Sequence, residues 1–146
     1  MTSTSEMPAR LPVAQPQSGC IVCGPDHPHG LRIRYETGAG GTVAATWVPT
    51  SAWEGFRGIV HGGIVTTVLD EAMSKAVAAA GHRALTGELR VRFRRPVEPG
   101  KELRIHAWVA GRRRTLIDTE ATLTAPDGSE QAHAWAAFMA LPEAPG

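Results

Sequence analysis

The sequence predicts an α+β fold in which one long helix is wrapped by a mostly antiparallel, six-stranded sheet. Three observations predict it. A helical apolar period runs without proline through residues 62–80 and stops at Gly81. Every other apolar pattern alternates with the period of a strand. Two strand patterns precede the helix and four follow it, with turn residues between them, so helix and strands segregate along the chain.

Residues 1–18 are rich in Pro, Ser, Thr and Gln and read as a disordered lead-in to one domain over residues 19–142. Residues 31–35 alternate apolar and polar, residues 38–41 carry a glycine-rich turn, and residues 42–48 form a second strand, which together make a hairpin. Residues 49–58 are a loop containing Trp53 and Phe56. The helix carries Ile64, Val65, Val68, Leu69, Ala72, Met73 and Ala76 at helical spacing. At ~1.5 Å per residue it is roughly 28 Å long, enough to cross a sheet. Leu89, Val91 and Phe93 then alternate with Arg90, Arg92 and Arg94, and Leu103, Ile105 and Ala107 with Arg104, His106 and Trp108. Strands over residues 116–124 and 131–141 complete the set, separated by turns at Pro96 to Gly100, Gly111 and Pro126 to Gly128. A single long helix inside such a sheet is the hotdog plan.

With 146 residues the chain fits one domain with one core. A net charge of +1 and 5% aromatic residues argue against a nucleic-acid partner. No secretory signal and no apolar stretch long enough for a bilayer are legible, so no membrane partner is expected. Two cysteines alone build no disulfide framework and suit a reducing compartment, so the expected location is the cytoplasm.

The helix carries the candidate chemistry. The residues reached from Asp70 in steps of three and four include Gly63, Thr66, Thr67, Ser74 and Ala78, small side chains that leave room beside a carboxylate for a substrate or a second helix. Gly62 and Gly63 open the helix and present unpaired N–H groups at the positive end of its dipole, a site suited to a developing oxyanion. Asp70 lies roughly 12 Å further along the axis, so a single chain does not bring the two together unless substrate lies along the helix or a partner subunit shapes the site. Ordinary roles stand beside these: a solvated Asp70, tight packing at the glycines, a capping His61, and Glu71 as an exposed charge or ion-pair partner.

Gly58-Ile59-Val60-His61-Gly62-Gly63, followed by Leu69-Asp70, resembles the signature of the PaaI-like hotdog acyl-CoA thioesterases. Residues 85–96, ending Arg95-Pro96, resemble the strand that follows the central helix in that family. Cys20-Ile21-Val22-Cys23-Gly24 with Pro28-His29-Gly30-Leu31 is similar to the opening of many bacterial members. The resemblance covers roughly residues 20 to 141 and implies a hotdog homodimer, or a dimer of dimers, with the site at the dimer interface. It implies Asp70 as general base or nucleophile, the Gly62 N–H as carbonyl-polarising donor, His61 as the residue shaping the turn, and Thr86 as a hydroxyl helping to hold the attacking water. Some relatives carry an Asn or Gln before the motif, where this chain has Gly55.

For substrate binding, Gly63, Trp53 and Phe56 are candidate pocket residues, with Met73 beside them. Arg112, Arg113 and Arg114 sit in a turn that either binds the phosphates of coenzyme A, as the resemblance implies, or is a solvated basic turn. Arg90, Arg92 and Arg94 read as an exposed ladder paired with Glu102 or Glu120. Cys20, Cys23, His27 and His29 read C-x2-C-x3-H-x-H, but the second pair is tighter than usual zinc spacing, so free thiols and no metal are expected. No Walker or Rossmann glycine loop is present, and no cofactor is expected beyond the coenzyme A of the substrate itself. A hotdog hydratase or dehydratase and a non-enzymatic acyl-CoA binder are the competing readings. The first needs an acid and a base astride the substrate, which His61 with Asp70 or Glu71 nominally supplies.

Overall fold

The structure is a computed structural model and describes residues 19–142; the expected disordered lead-in lies outside the described residues. Eight elements follow in order: β1 (Glu36–Gly38), β2 (Thr42–Trp47), a 3-10 turn (Ser51–Trp53), α1 (Gly62–Ala79), β3 (Ala84–Phe93), β4 (Leu103–Arg113), β5 (Leu116–Thr124) and β6 (Glu130–Ala140). The strands form one sheet in the order β1-β2-β4-β5-β6-β3. Every pairing is antiparallel, and α1 packs across the sheet.

Burial follows the two periods. On α1 the stripe of Val65, Val68, Leu69, Ala72, Met73, Ala76 and Val77 is buried. On β5 buried and half-buried positions alternate along the whole strand. Opposite the helix, Ala107, Ala121, Ala132, Ala134 and Ala136 are buried, and their small side chains let the helix lie close to the strands. Phe138, Leu69, Met73, Ile105 and Ile117 fill the remaining space.

The expected strand over residues 31–35 is not a strand. Its alternation is real, with Ile33 buried between exposed Arg32 and Arg34. However, Leu31 N–H donates to the Ile21 carbonyl and Ile33 N–H to the Val22 carbonyl, so the segment pairs with the N-terminal loop rather than the sheet. Arg32 has φ 55°, a left-handed conformation that interrupts an extended chain. The paired strand β1 begins only at Glu36.

Candidate active site

At the start of α1, His61 is the N-cap, and its Nδ1 accepts the Gly63 N–H at 2.9 Å. The His61 carbonyl accepts from Ile64 and Val65, and its own N–H donates to the Trp53 carbonyl at 2.8 Å. The loop folds back through a bridge between Glu54 and Val60. A Cβ at Gly55 would lie 3.1 Å from His61 Cδ2, so a larger side chain here would press on the imidazole. Gly63 is therefore not a free donor: its N–H is taken by the cap. The Gly62 N–H, first of the helix, has no acceptor among the described residues. A cavity of about 360 Å³ opens here, lined by Gly55, Phe56, Ile59, Val60, His61 and Gly62.

Asp70 lies two turns along, half-buried, and its Oδ1 accepts a 2.7 Å hydrogen bond from the Thr86 hydroxyl on β3. Burial holds its pKa above the ordinary carboxylate value, while the Thr86 bond pulls the other way. Oδ2 accepts no hydrogen bond from a described side chain. The nearby Thr66 and Thr67 hydroxyls donate to the Gly62 and Gly63 carbonyls at 2.8 Å, so they do not compete for the carboxylate.

Thr86 owes its aim to an irregularity that the strand pattern hides. Thr86 pairs with Phe138 and Glu88 with Ala137, so Gly87 is the extra residue of a β-bulge. A Cβ at Gly87 would come within 2.9 Å of Met139 Cγ and 3.2 Å of the Ala137 carbonyl oxygen. An isolated glycine in a strand pattern is the signal that could have found it. Phe93 was likewise read only as a strand residue. It is 51% exposed, and its ring lies 3.5 Å from where a Gly62 Cβ would stand. Thus β3 reaches the helix start with Phe93 and Asp70 with Thr86.

The other expected residues divide. Phe56, 84% exposed, lines the cavity, whereas Trp53 packs against the core and does not line it. Arg113 is gripped by Asp118 through Nε and Nη2 at 2.8 and 2.9 Å, and Arg112 Nε donates to the Arg114 carbonyl. The expected turn at Gly111 is strand instead: Gly111, Arg112 and Arg113 end β4, paired with β5, and of the three arginines only Arg114 lies in the turn. That end of β4 is in register with the site: Thr86, Phe138, Ile117 and Arg112 face one another across four strands, or ~14 Å. The arginine ladder is exposed, but its partners differ from expectation. Arg94 pairs with Glu130 at 2.6 Å and Arg90 lies over the Trp135 ring, while Glu120 meets His133. Trp135 and Arg90 share the outer face of the sheet, where stacking is available to a guanidinium.

Cys20 and Cys23 are free thiols. His27 and His29 do not join them: the His27 Nδ1 accepts the His29 N–H, and the group that meets the sulfurs is Glu71. Glu71 is half-buried and paired with Lys75 at 3.8 Å, an ion-pair partner rather than an exposed charge. Burial, with Cys20 and Glu71 beside it, pushes the Cys23 thiol up to about 12. No described helix is long and apolar enough to cross a membrane.

The thioesterase superfamily profile matches residues 57–132, just over half of the chain. A comparison with curated protein sequences returns no match. Among solved structures, a thioesterase superfamily protein, RHA08564, superposes with a TM-score of 0.80 at 24% identity, over 84% of this chain and 60% of that one. This chain thus spans less than two thirds of that protein. The Escherichia coli PaaI protein of the phenylacetic acid degradation operon superposes with a TM-score of 0.72 at 18% identity, over 78% of this chain and 83% of its own. The Streptococcus mutans protein smu.793, solved bound to acetyl-CoA, gives 0.72 at 19% identity, over 77% and 91%. The chain belongs to the thioesterase superfamily, and its fold is the hotdog of PaaI-like members.

Proposed function

We propose that this protein is an acyl-CoA thioesterase, hydrolysing a thioester to a carboxylic acid and free coenzyme A. The observation that carries the reading is the Thr86–Asp70 hydrogen bond of 2.7 Å, which orients a half-buried carboxylate on a helix face of small residues. Burial makes Asp70 a stronger base than a solvated aspartate. Water bound to Oδ2, with the Thr86 lone pairs within reach, gives its proton to Asp70 as its oxygen attacks the thioester carbon. The carbonyl oxygen becomes an oxyanion stabilised by the Gly62 N–H and the helix dipole. Collapse breaks the carbon–sulfur bond and releases the coenzyme A thiolate. Direct attack by Asp70 to form an anhydride, hydrolysed in a second step, is the nucleophilic variant of the same chemistry. Neither route needs a cofactor beyond the coenzyme A of the substrate.

Gly62 and Asp70 of one chain face different ends of β3, so the reading joins the Gly62 of one subunit to the Asp70 of another in a homodimer. The ten-residue strand β3 lies at the end of the sheet, with exposed Phe93 on it and Met139 beside it. Long free edges of this kind favour pairing with a second copy. The acetyl-CoA bound to the S. mutans structure supports an acyl-CoA as substrate. In this reading Phe56 and the helix-start cavity receive the acyl end. Arg112 at the end of β4 and Arg114 in the turn after it are the residues offered to the nucleotide phosphates, with Arg113 held by Asp118. The free thiols suit a cytoplasmic protein.

The test is free-thiol release from a panel of short, medium, long and aryl acyl-CoAs, with wild type and Asp70→Asn compared. Wild type is expected to turn over part of the panel, with kcat lowered ~10²-fold or more by Asp70→Asn. No release from any thioester by folded wild type would overturn the reading in favour of a hydratase or an acyl-CoA binder.

A further inference from the structure

The strongest unassigned feature is the meeting of the N-terminal Cys20–Cys23 turn with α1. Cys20 Sγ and Cys23 Sγ lie 3.8 and 3.3 Å from one atom, Oε1 of Glu71, although 51 and 48 residues separate them in sequence. The three donor atoms all lie within 4.8 Å of one another. For a tetrahedral zinc with ~2.3 Å bonds to sulfur and ~2.0 Å to oxygen, the sulfur-to-oxygen edge is ~3.5 Å. The two observed separations straddle that edge.

The turn itself aims backbone donors at one of the two sulfurs. The backbone N–H groups of Val22 and Cys23 both donate to Cys20 Sγ at 3.4 Å, and the Gly24 N–H donates to the Cys20 carbonyl at 2.8 Å, closing the loop. N–H groups aimed at a sulfur stabilise the charge it carries as a ligand. Glu71 is held by the helix, and Lys75, one turn on and buried, supplies a compensating positive charge. Two thiolates and a carboxylate around a dication leave a net charge of −1, which the Lys75 ammonium cancels. A groove of about 420 Å³ lined by Cys23, Tyr35, Lys75 and Arg34 gives solvent an approach to the cluster.

We infer that Cys20, Cys23 and Glu71 form a binding site for a thiophilic divalent cation, zinc being the ordinary case, with water as the fourth ligand. On coordination the two thiols release their protons to solvent and the sulfurs bind as thiolates. The sequence suggested His27 and His29 as the second half of such a site; the fold replaces both with Glu71. The cation clips residues 20–24 to the helix one position from Asp70, and it is structural, taking no part in thioester hydrolysis.

The experiment uses the full chain, stripped of metal with a chelator and kept reduced, and titrated with Co²⁺. A sulfur-to-cobalt charge-transfer absorption with tetrahedral d–d bands, saturating at one ion per chain and bleached by Zn²⁺, is the expected result. Cys23→Ser should remove most of the charge-transfer intensity. Glu71→Gln should keep both thiolates but weaken Co²⁺ binding ~10-fold or more and alter the d–d bands. The double variant His27→Ala, His29→Ala should leave spectrum and affinity unchanged. Zn²⁺ should raise the Tm of wild type and not of Cys23→Ser. Absence of the charge-transfer band in the reduced wild type would overturn the inference. So would a spectrum indifferent to Glu71→Gln, one lost with the histidines, or oxidation to a Cys20–Cys23 disulfide without metal uptake.

Discussion

At the scale of single residues, Asp70 and Thr86 are coupled by one hydrogen bond whose removal has a definite sign. The Thr86 hydroxyl stabilises the ionised carboxylate and so lowers its pKa against the effect of burial. Thr86→Val deletes that bond, and the pKa rises further. The acidic limb of the kcat/KM profile is expected to move to higher pH, with kcat reduced about tenfold at neutral pH. A profile unchanged in position would separate Thr86 from the carboxylate. Burial also makes Asp70 costly to the fold. The folded chain holds this proton more tightly than the unfolded chain, so stability falls as pH rises from the ordinary carboxylate value through the raised one. Asp70→Asn is therefore expected to raise Tm at neutral pH, with the gain absent in acid, as read by scanning calorimetry. What was legible at Asp70 is a carboxylate on a helix face that also carries Gly63, Thr66, Thr67 and Ser74. The Thr86–Asp70 contact was not legible, since nothing local to a Thr in a strand says that a helix carboxylate will meet it; the resemblance alone singled Thr86 out.

At the scale of elements, the helix was legible almost to the residue, because an uninterrupted period ending at Gly81 leaves little choice: the reading of 62–80 meets an observed Gly62–Ala79. The first strand was not legible. Residues 31–35 have a strand's burial pattern, but their partner is the N-terminal loop, and alternation cannot say which backbone a segment will pair with. The Gly87 bulge was missed for a related reason, as a register shift exists only between two strands. Gly87→Ala sets a Cβ 3.2 Å from the Ala137 carbonyl oxygen; it is expected to cost about 1–3 kcal/mol in denaturant unfolding and to lower kcat by turning Thr86 away from Asp70. The helix start permits a cleaner test. Proline is favoured at the first helical position, and His61, with φ −56° and ψ 132°, already has the conformation that precedes proline. Gly62→Pro therefore deletes the proposed donor while retaining the helix. It is expected to lower kcat ~10²-fold or more at little cost in Tm. Unchanged turnover would remove the Gly62 N–H from the chemistry.

At the scale of the whole molecule, the fold separates what the chemistry must unite. Gly62 stands beside Phe93 and Asp70 beside Thr86, near opposite ends of the edge strand β3. The sequence already implied this separation, since eight helical residues span ~12 Å. It could not say which strand would be left at the sheet's edge, which depends on the β5-β6-β3 pairings. In the proposed homodimer one subunit supplies the carboxylate and the other the backbone donor. Subunit mixing tests this most directly: inactive Asp70→Asn and inactive Gly62→Pro chains are unfolded, mixed in equal amounts and refolded together. Half of the resulting dimers are mixed, and each mixed dimer contains one site with both groups intact, so about a quarter of wild-type activity should return. A mixture as inactive as its parents, with mixed dimers verified by mass spectrometry, would contradict the claim.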